Sequence, residues 1–209
     1  MGELELFLYL APIIIASLVL HELAHAVVAT RLGDPTPHED GRLTLNPLAH
    51  LDPLGTLMFG ITYFLSSVIF GWAKPVHVQP AYFRRPQQDM ALVALAGPAT
   101  NLVIAIVCAA VLVHAGIELG DDLRVLLARV YEVNLVLTIF NLIPVPPLDG
   151  SRLVGAFMDR GTYERWSALD AYGMFVIFGV IVFFREQFNE VFVAAINTST
   201  DVIRTLVGG

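Results

Sequence analysis

Two histidines and a glutamate stand inside the first apolar stretch of the chain, in the segment SLVLHELAHAVVATRLG (17–33). His21 and His25 are four residues apart, so on a helix they share one face about a turn apart. Two imidazoles so placed can bind one metal ion, and Glu22 beside the first can act on a water molecule as general base. Ionisable groups are costly in an apolar run and mark function by default. A pair of core histidines bonded to polar neighbours is the plain alternative. It accounts less well for a glutamate in the same register.

A catalytic zinc takes a third protein ligand and keeps one position open. His38, His50, His77, His114 and the acidic residues are the candidates. The residues after His25, AVVATRLGD, do not continue with a third histidine beyond a glycine. Asp149 stands apart because it follows an apolar run, in IPVPPLDGSRL. Prolines there remove backbone donors and break the helix. Irregular backbone at membrane depth is tolerated only where it is buried in protein or lines a wet cavity. Such a break can aim a carboxylate into a bundle. A Pro-Leu-Asp-Gly turn at a helix end is the ordinary alternative.

HELAH (21–25) and NLIPVPPLDG (141–150), in that order, resemble the motif pair of the site-2 proteases, the intramembrane zinc metallopeptidases. GRLTLNPLAHLDPLGT, GWAKPV and ALAGPATN are also similar to segments of the short bacterial and archaeal members, so the resemblance covers roughly residues 15–155. It implies one catalytic zinc ion on His21, His25 and Asp149, with Glu22 as catalytic base. Asn141 matches a family asparagine placed near the site, and the match implies a role in binding substrate backbone or stabilising an oxyanion. Capping of a helix is the alternative for Asn141. The implied substrate is a transmembrane segment of another membrane protein, cut in regulated intramembrane proteolysis. No inserted PDZ domain or appended CBS domain is seen. A divalent-metal transporter or permeation protein using the same His, Glu and Asp cluster is the competing class. Broken helices suit transporters, whereas a glutamate beside a ligand suits hydrolysis, and no inverted repeat is present. A prenyl-protein type of membrane peptidase is a third reading, disfavoured by the proline-rich LDG segment.

The elements that must position these residues are mostly apolar. Of 209 residues, 56% are hydrophobic and 15% charged, against about 25% charged in soluble domains. The apolar residues fall in runs at 4–20, 54–70, 91–113, 133–148 and 174–184. The fold class expected is an all-α membrane protein: a polytopic helical bundle with a re-entrant or peripheral segment, and a short β-hairpin-like element after the first helix. Helices are expected near 4–32, 90–116, 123–143 and 171–185, followed by an amphipathic tail at the interface or a poor further span. RLTL (42–45) alternates as a strand does, and GRLTL and PVHV (75–78) are candidate edges for holding a substrate extended. The first run lacks a basic start and contains the motif, so it reads as a span and not as a leader. One integral-membrane metalloprotease domain is expected over 1–209, with its core at 4–155 and a C-terminal span and tail at 171–207. The net charge of −7 argues against nucleic acid as partner. The lone Cys108 excludes an internal disulfide and a cysteine-based zinc site.

The metal demands a particular topology. Both halves of the site lie toward the C-terminal ends of their helices, so an odd number of crossings must separate them. If 54–70 dips in and returns, Arg31, Arg42, Lys74, Arg84, Arg85, Arg152, Arg160 and Arg165 share a side, and with Arg204 of the tail left out, Arg124, Arg129 and Arg185 oppose them. The positive-inside rule then puts the site on the cytoplasmic side of a multi-pass cell-membrane protein with four full spans. The expected partners are the lipid bilayer and the substrate's transmembrane segment, with a homo-oligomer or a regulatory membrane partner left open.

Overall fold

The structure, a computed structural model, describes residues 3–65, 71–115 and 118–208. The last five residues of the 54–70 run lie outside the described residues. Nine α-helices are present among the described residues: α1 (Glu3–Arg31), α2 (Thr36–Glu39), α3 (Pro53–Leu65), α4 (Pro86–Ala115), α5 (Asp121–Asn141), α6 (Asp149–Gly155), α7 (Arg160–Ser167), α8 (Asp170–Phe183) and α9 (Arg185–Val207).

α1 ends where the sequence changes character. Gly33 takes φ +110°, a conformation costly for any side chain, and Pro35 and Pro37 follow. The buried Asp34 then ties the turn down. It accepts from Thr36 N at 3.0 Å and, across the chain, from Gln79 N at 2.7 Å. At the other end of the fold, Asp159 caps α7 through the amide and hydroxyl of Thr162. Those bonds hold its carboxyl below the ordinary value.

α4 is the central helix and packs against α1, α5, α6 and α9. Its buried face is built from small residues, Ala91, Ala94, Gly97, Ala105 and Ala109, with Asn101 among them. In an apolar solvent helices gain little by hiding apolar surface from one another. Close approach over small residues and interhelical hydrogen bonds hold them instead. Leu135 on α5 and Ile203 on α9 complete a packed cluster with Ala105 and Ala109. The outer faces stay apolar, with Leu8 on α1 and Leu92, Leu95, Val103 and Val107 on α4 exposed. An apolar exterior of this extent marks a membrane-contacting surface.

α1 and α4 are long and apolar enough to cross a bilayer, and the bent pair α7–α8 would make a third such element. α5 is long enough, but its first twelve residues carry Asp121, Asp122, Arg124, Arg129 and Glu132. That is why four spans are not reached on length and composition alone. α3 has 13 residues, so it is about 20 Å long and shorter than a bilayer core of about 30 Å. Phe7 near the start of α1 packs against Phe59, Tyr63 and Phe64 of α3. Near the start of α3 the returning chain packs closely on the helix. A Cβ on Gly55 would meet the Trp72 carbonyl oxygen at 2.1 Å, and one on Gly71 would meet Phe59 Cβ at 2.6 Å. Leu51 and Ala73 pair as an antiparallel bridge, with Lys74 N donating to His50 O at 2.8 Å. The chain therefore leaves and returns at one place.

That single bridge replaces the β-hairpin expected after the first helix; no strand is found among the described residues. The reason is where the backbone groups of those segments go. The buried Arg42 guanidinium donates to the carbonyls of Ala49, Lys74 and Pro75. His50 Nε2 donates to Thr44 O at 2.9 Å. Side chains thus take up carbonyl acceptors that a ladder would have paired.

Candidate metal centre

His21 and His25 sit on adjacent turns of α1, buried at 3% and 8% exposure. Asp149 opens α6, directly after the irregular segment 142–148 that ends α5. Two glycines let this loop sit tightly. A Cβ on Gly150 would meet Leu142 O at 2.2 Å, and a Cβ on Gly173 of α8 would meet Pro146 O at 2.0 Å. Leu148 packs with Ile177 and Ile181 of α8. Arg152 pairs with Asp170, and Trp166 Nε1 donates to Ser151 O at 3.0 Å. The loop that aims Asp149 is therefore gripped by α7 and α8 on its far side.

The three side chains converge. His21 Nε2 and His25 Nε2 lie 3.0 Å apart, and Asp149 Oδ2 lies 3.2 Å from the first and 3.4 Å from the second. His25 Nδ1 donates to the Val93 carbonyl at 2.7 Å. A carbonyl only accepts, so in the neutral imidazole the Nε2 of that ring carries the lone pair. His21 Nδ1 faces Asn101 Oδ1 at 2.6 Å, the same arrangement. With both rings neutral, the two Nε2 atoms and the Asp149 oxygen are electron-rich and have no hydrogen to share among them. Asp149 Oδ2 is buried and makes no hydrogen bond among the described residues. Such a convergence of electron-pair donors is relieved by a cation at their centre.

α4 shapes the rest of the site. Val93, Gly97 and Asn101 fall four residues apart on one face of it. A Cβ on Gly97 would lie 2.5 Å from His25 Nε2 and 2.6 Å from His21 Nε2. The bare Cα keeps open the space at which the nitrogens point. The donor set is two imidazoles and one carboxylate, the type used by catalytic zinc, and all three ligand atoms lie within 4.8 Å of one another. Glu22 is buried beside them, and its Oε2 accepts from Val76 N at 3.1 Å.

Among the described residues no other histidine joins this group. His50 is buried against Thr44, and His77 forms an exposed pair with Asp40 at 3.7 Å. His38 lies in α2 and His114 in the last turn of α4. Asn141 is the last residue of α5, and its amide donates to Leu137 O at 2.9 Å within that helix. Val76, Gly97, Asn101 and Asn134 belong to the site's surroundings without standing out in either motif. A signal existed for the last two, since carboxamides inside apolar helices need partners there.

Residues 120–184 match the family described as Peptidase family M50. The chain is 40% identical over 185 residues to the Bacillus subtilis (strain 168) protein named Putative zinc metalloprotease YwhC, covering 85% of this chain and 81% of that one. It is 27% identical over 172 residues to Putative zinc metalloprotease Rip2 of Mycolicibacterium smegmatis (strain ATCC 700084 / mc(2)155), covering 79% of this chain and 63% of that one. It is 31% identical over 151 residues to Putative zinc metalloprotease Rip3 of Mycobacterium tuberculosis (strain ATCC 25618 / H37Rv), covering 72% of this chain and 31% of that one. No solved structure matches the chain. These names do not favour the metal-transporter alternative.

Proposed function

Because this chain belongs to peptidase family M50, the site-2 protease family, and is a membrane zinc metalloprotease, we propose that it hydrolyses a peptide bond within or near a transmembrane segment of another membrane protein. The observation that carries this reading is the convergence of His21 Nε2, His25 Nε2 and Asp149 Oδ2 beside a buried Glu22. His21, His25 and Asp149 hold one zinc ion in this account. Zinc there would supply Lewis acidity, lowering the pKa of its water and polarising the scissile carbonyl. Glu22 takes the proton from the attacking water and passes it to the leaving amine. The Val76 amide keeps the Glu22 carboxylate turned to one side of α1. Asn141 contacts the substrate main chain or the developing oxyanion. Among the described residues, one of its amide hydrogens is used, on Leu137 O.

The same account makes the chain a single integral-membrane domain of the cell membrane with its site open to the cytoplasm. It treats the segment around α3 as re-entrant. The support is the pairing of Leu51 with Ala73, together with the excess of arginine and lysine on one side. In a Cys108→Ala background, Leu48→Cys and His77→Cys should both label from the cytoplasmic side. Labelling of the two from opposite sides would mean that the segment spans.

The activity is tested by co-expression with candidate single-span proteins, comparing wild type with Glu22→Gln. A fragment that accumulates only with wild type is the expected result. Undiminished cleavage by Glu22→Gln would refute the base assignment.

A further inference from the structure

On the side of His21 away from Asp149, polar side chains from three helices form one chain of hydrogen bonds. His21 Nδ1 meets Asn101 Oδ1 of α4 at 2.6 Å. Asn101 Nδ2 donates to Asn134 Oδ1 of α5 at 2.7 Å, and a longer contact of 3.4 Å reaches Ser17 O of α1. Asn134 Nδ2 donates to Ser17 Oγ at 2.9 Å and to Val130 O at 2.8 Å. Asn101 and Asn134 are fully buried, and Ser17 nearly so. None of the three belongs to the two motifs that carry the ligands.

The polarity of this chain has one solution. A main-chain carbonyl can only accept, so Val130 O requires the NH2 of Asn134 on its side. That turns Asn134 Oδ1 toward Asn101, where it needs a donor. Asn101 must answer with its NH2, an orientation that Ser17 O requires independently. Asn101 then has only its oxygen left for His21. Nδ1 of His21 must carry the proton, and Nε2 keeps its lone pair on the side of Asp149. Reversal of the chain would put an N–H opposite Nδ1 and force the proton onto Nε2, the ligand atom. His25 needs no such device, because its Nδ1 meets a main-chain carbonyl directly.

We propose that Asn101 is a positioning residue for the metal centre and that Asn134 and Ser17 act through it, so that a carbonyl of α5 sets the tautomer of a ligand on α1. The proposal rests on the reading of His21, His25 and Asp149 as a zinc site. Zinc affinity should then depend on Asn134, although α5 itself contributes no ligand.

The full chain, purified in detergent, is tested by zinc competition with a chelator, by the visible spectrum of the Co2+-loaded protein and by thermal unfolding. Asn101→Leu should weaken zinc binding by about 10–100-fold, as loss of an outer partner of a ligating histidine does, and alter the Co2+ spectrum. Asn134→Leu should weaken it in the same direction and by less. Asn101→Asp keeps an acceptor opposite Nδ1 while losing the bonds to Asn134 and Ser17. It should bind zinc more tightly than Asn101→Leu even if it unfolds earlier. Thr138→Val removes a buried hydroxyl from the same helix, one that bonds Pro98 O and Asn134 O. It should lower stability and leave zinc affinity unchanged. Folded Asn101→Leu with wild-type affinity, or equal losses in Asn101→Leu and Asn101→Asp, would overturn the proposal and leave the zinc reading standing. If Asn101→Leu does not fold, unchanged affinity in folded Asn134→Leu overturns it. A wild-type protein without zinc would remove the metal reading and this proposal together.

Discussion

α3 and α4 both begin at a proline and are both apolar, yet they do opposite things. The threonine hydroxyls of α3, on Thr56 and Thr62, donate to carbonyls of their own preceding turn. Leu54, Leu57, Ile61, Phe64 and Leu65 are exposed, while Phe59 and Tyr63 are half-buried against Phe7. α4 instead offers its neighbours a carbonyl at Val93, a bare Cα at Gly97 and a carboxamide at Asn101. Hydropathy does not separate these helices. What marks α4 is that its small and polar residues recur at helical spacing and meet two histidines of α1. Inside a bilayer such partners, together with close packing over small residues, hold helices together.

Glycines expose the contrast most sharply, because their surroundings differ from one helix to the other and along α3 itself. Gly97→Ala puts a methyl where the two ligand nitrogens point. It should lower zinc affinity by on the order of 100-fold and abolish cleavage, read by metal analysis and fragment formation. Gly55→Ala places its methyl against the Trp72 carbonyl. It should cost about 1–3 kcal/mol of stability, as overpacking does, with zinc affinity of the folded protein unchanged. A methyl on Gly60 of α3 would meet nothing within 4 Å. Gly60→Ala should therefore stabilise slightly, by about 0.5–1 kcal/mol, as thermal unfolding would show. If Gly55→Ala strips zinc as Gly97→Ala does, α3 is part of the metal centre and the contrast fails.

The helices and the pairing of His21 with His25 are legible in the sequence because their signals are local. The i, i+4 spacing of His21 and His25 needs only a helix, and α1, α4, α5, α8 and α9 fall close to the apolar runs and the amphipathic tail. Asp149 is reached through the resemblance and through its prolines, which do end α5. The β-hairpin is a misreading of RLTL, whose alternation says nothing about Arg42 and His50 capturing the carbonyls of these segments. Gly97, Asn101 and Asn134 carry meaning only once three helices are brought together. No spacing within one segment encodes that His21 Nδ1 answers to Val130 O.

Zinc content measured together with cleavage, on wild type and Glu22→Gln purified side by side, tests the central claim most directly. The expected result is one zinc ion per chain in both proteins and cleavage of a single-span substrate by wild type alone. Cleavage by Glu22→Gln at the wild-type rate, or a wild type that cleaves without bound metal, would contradict it.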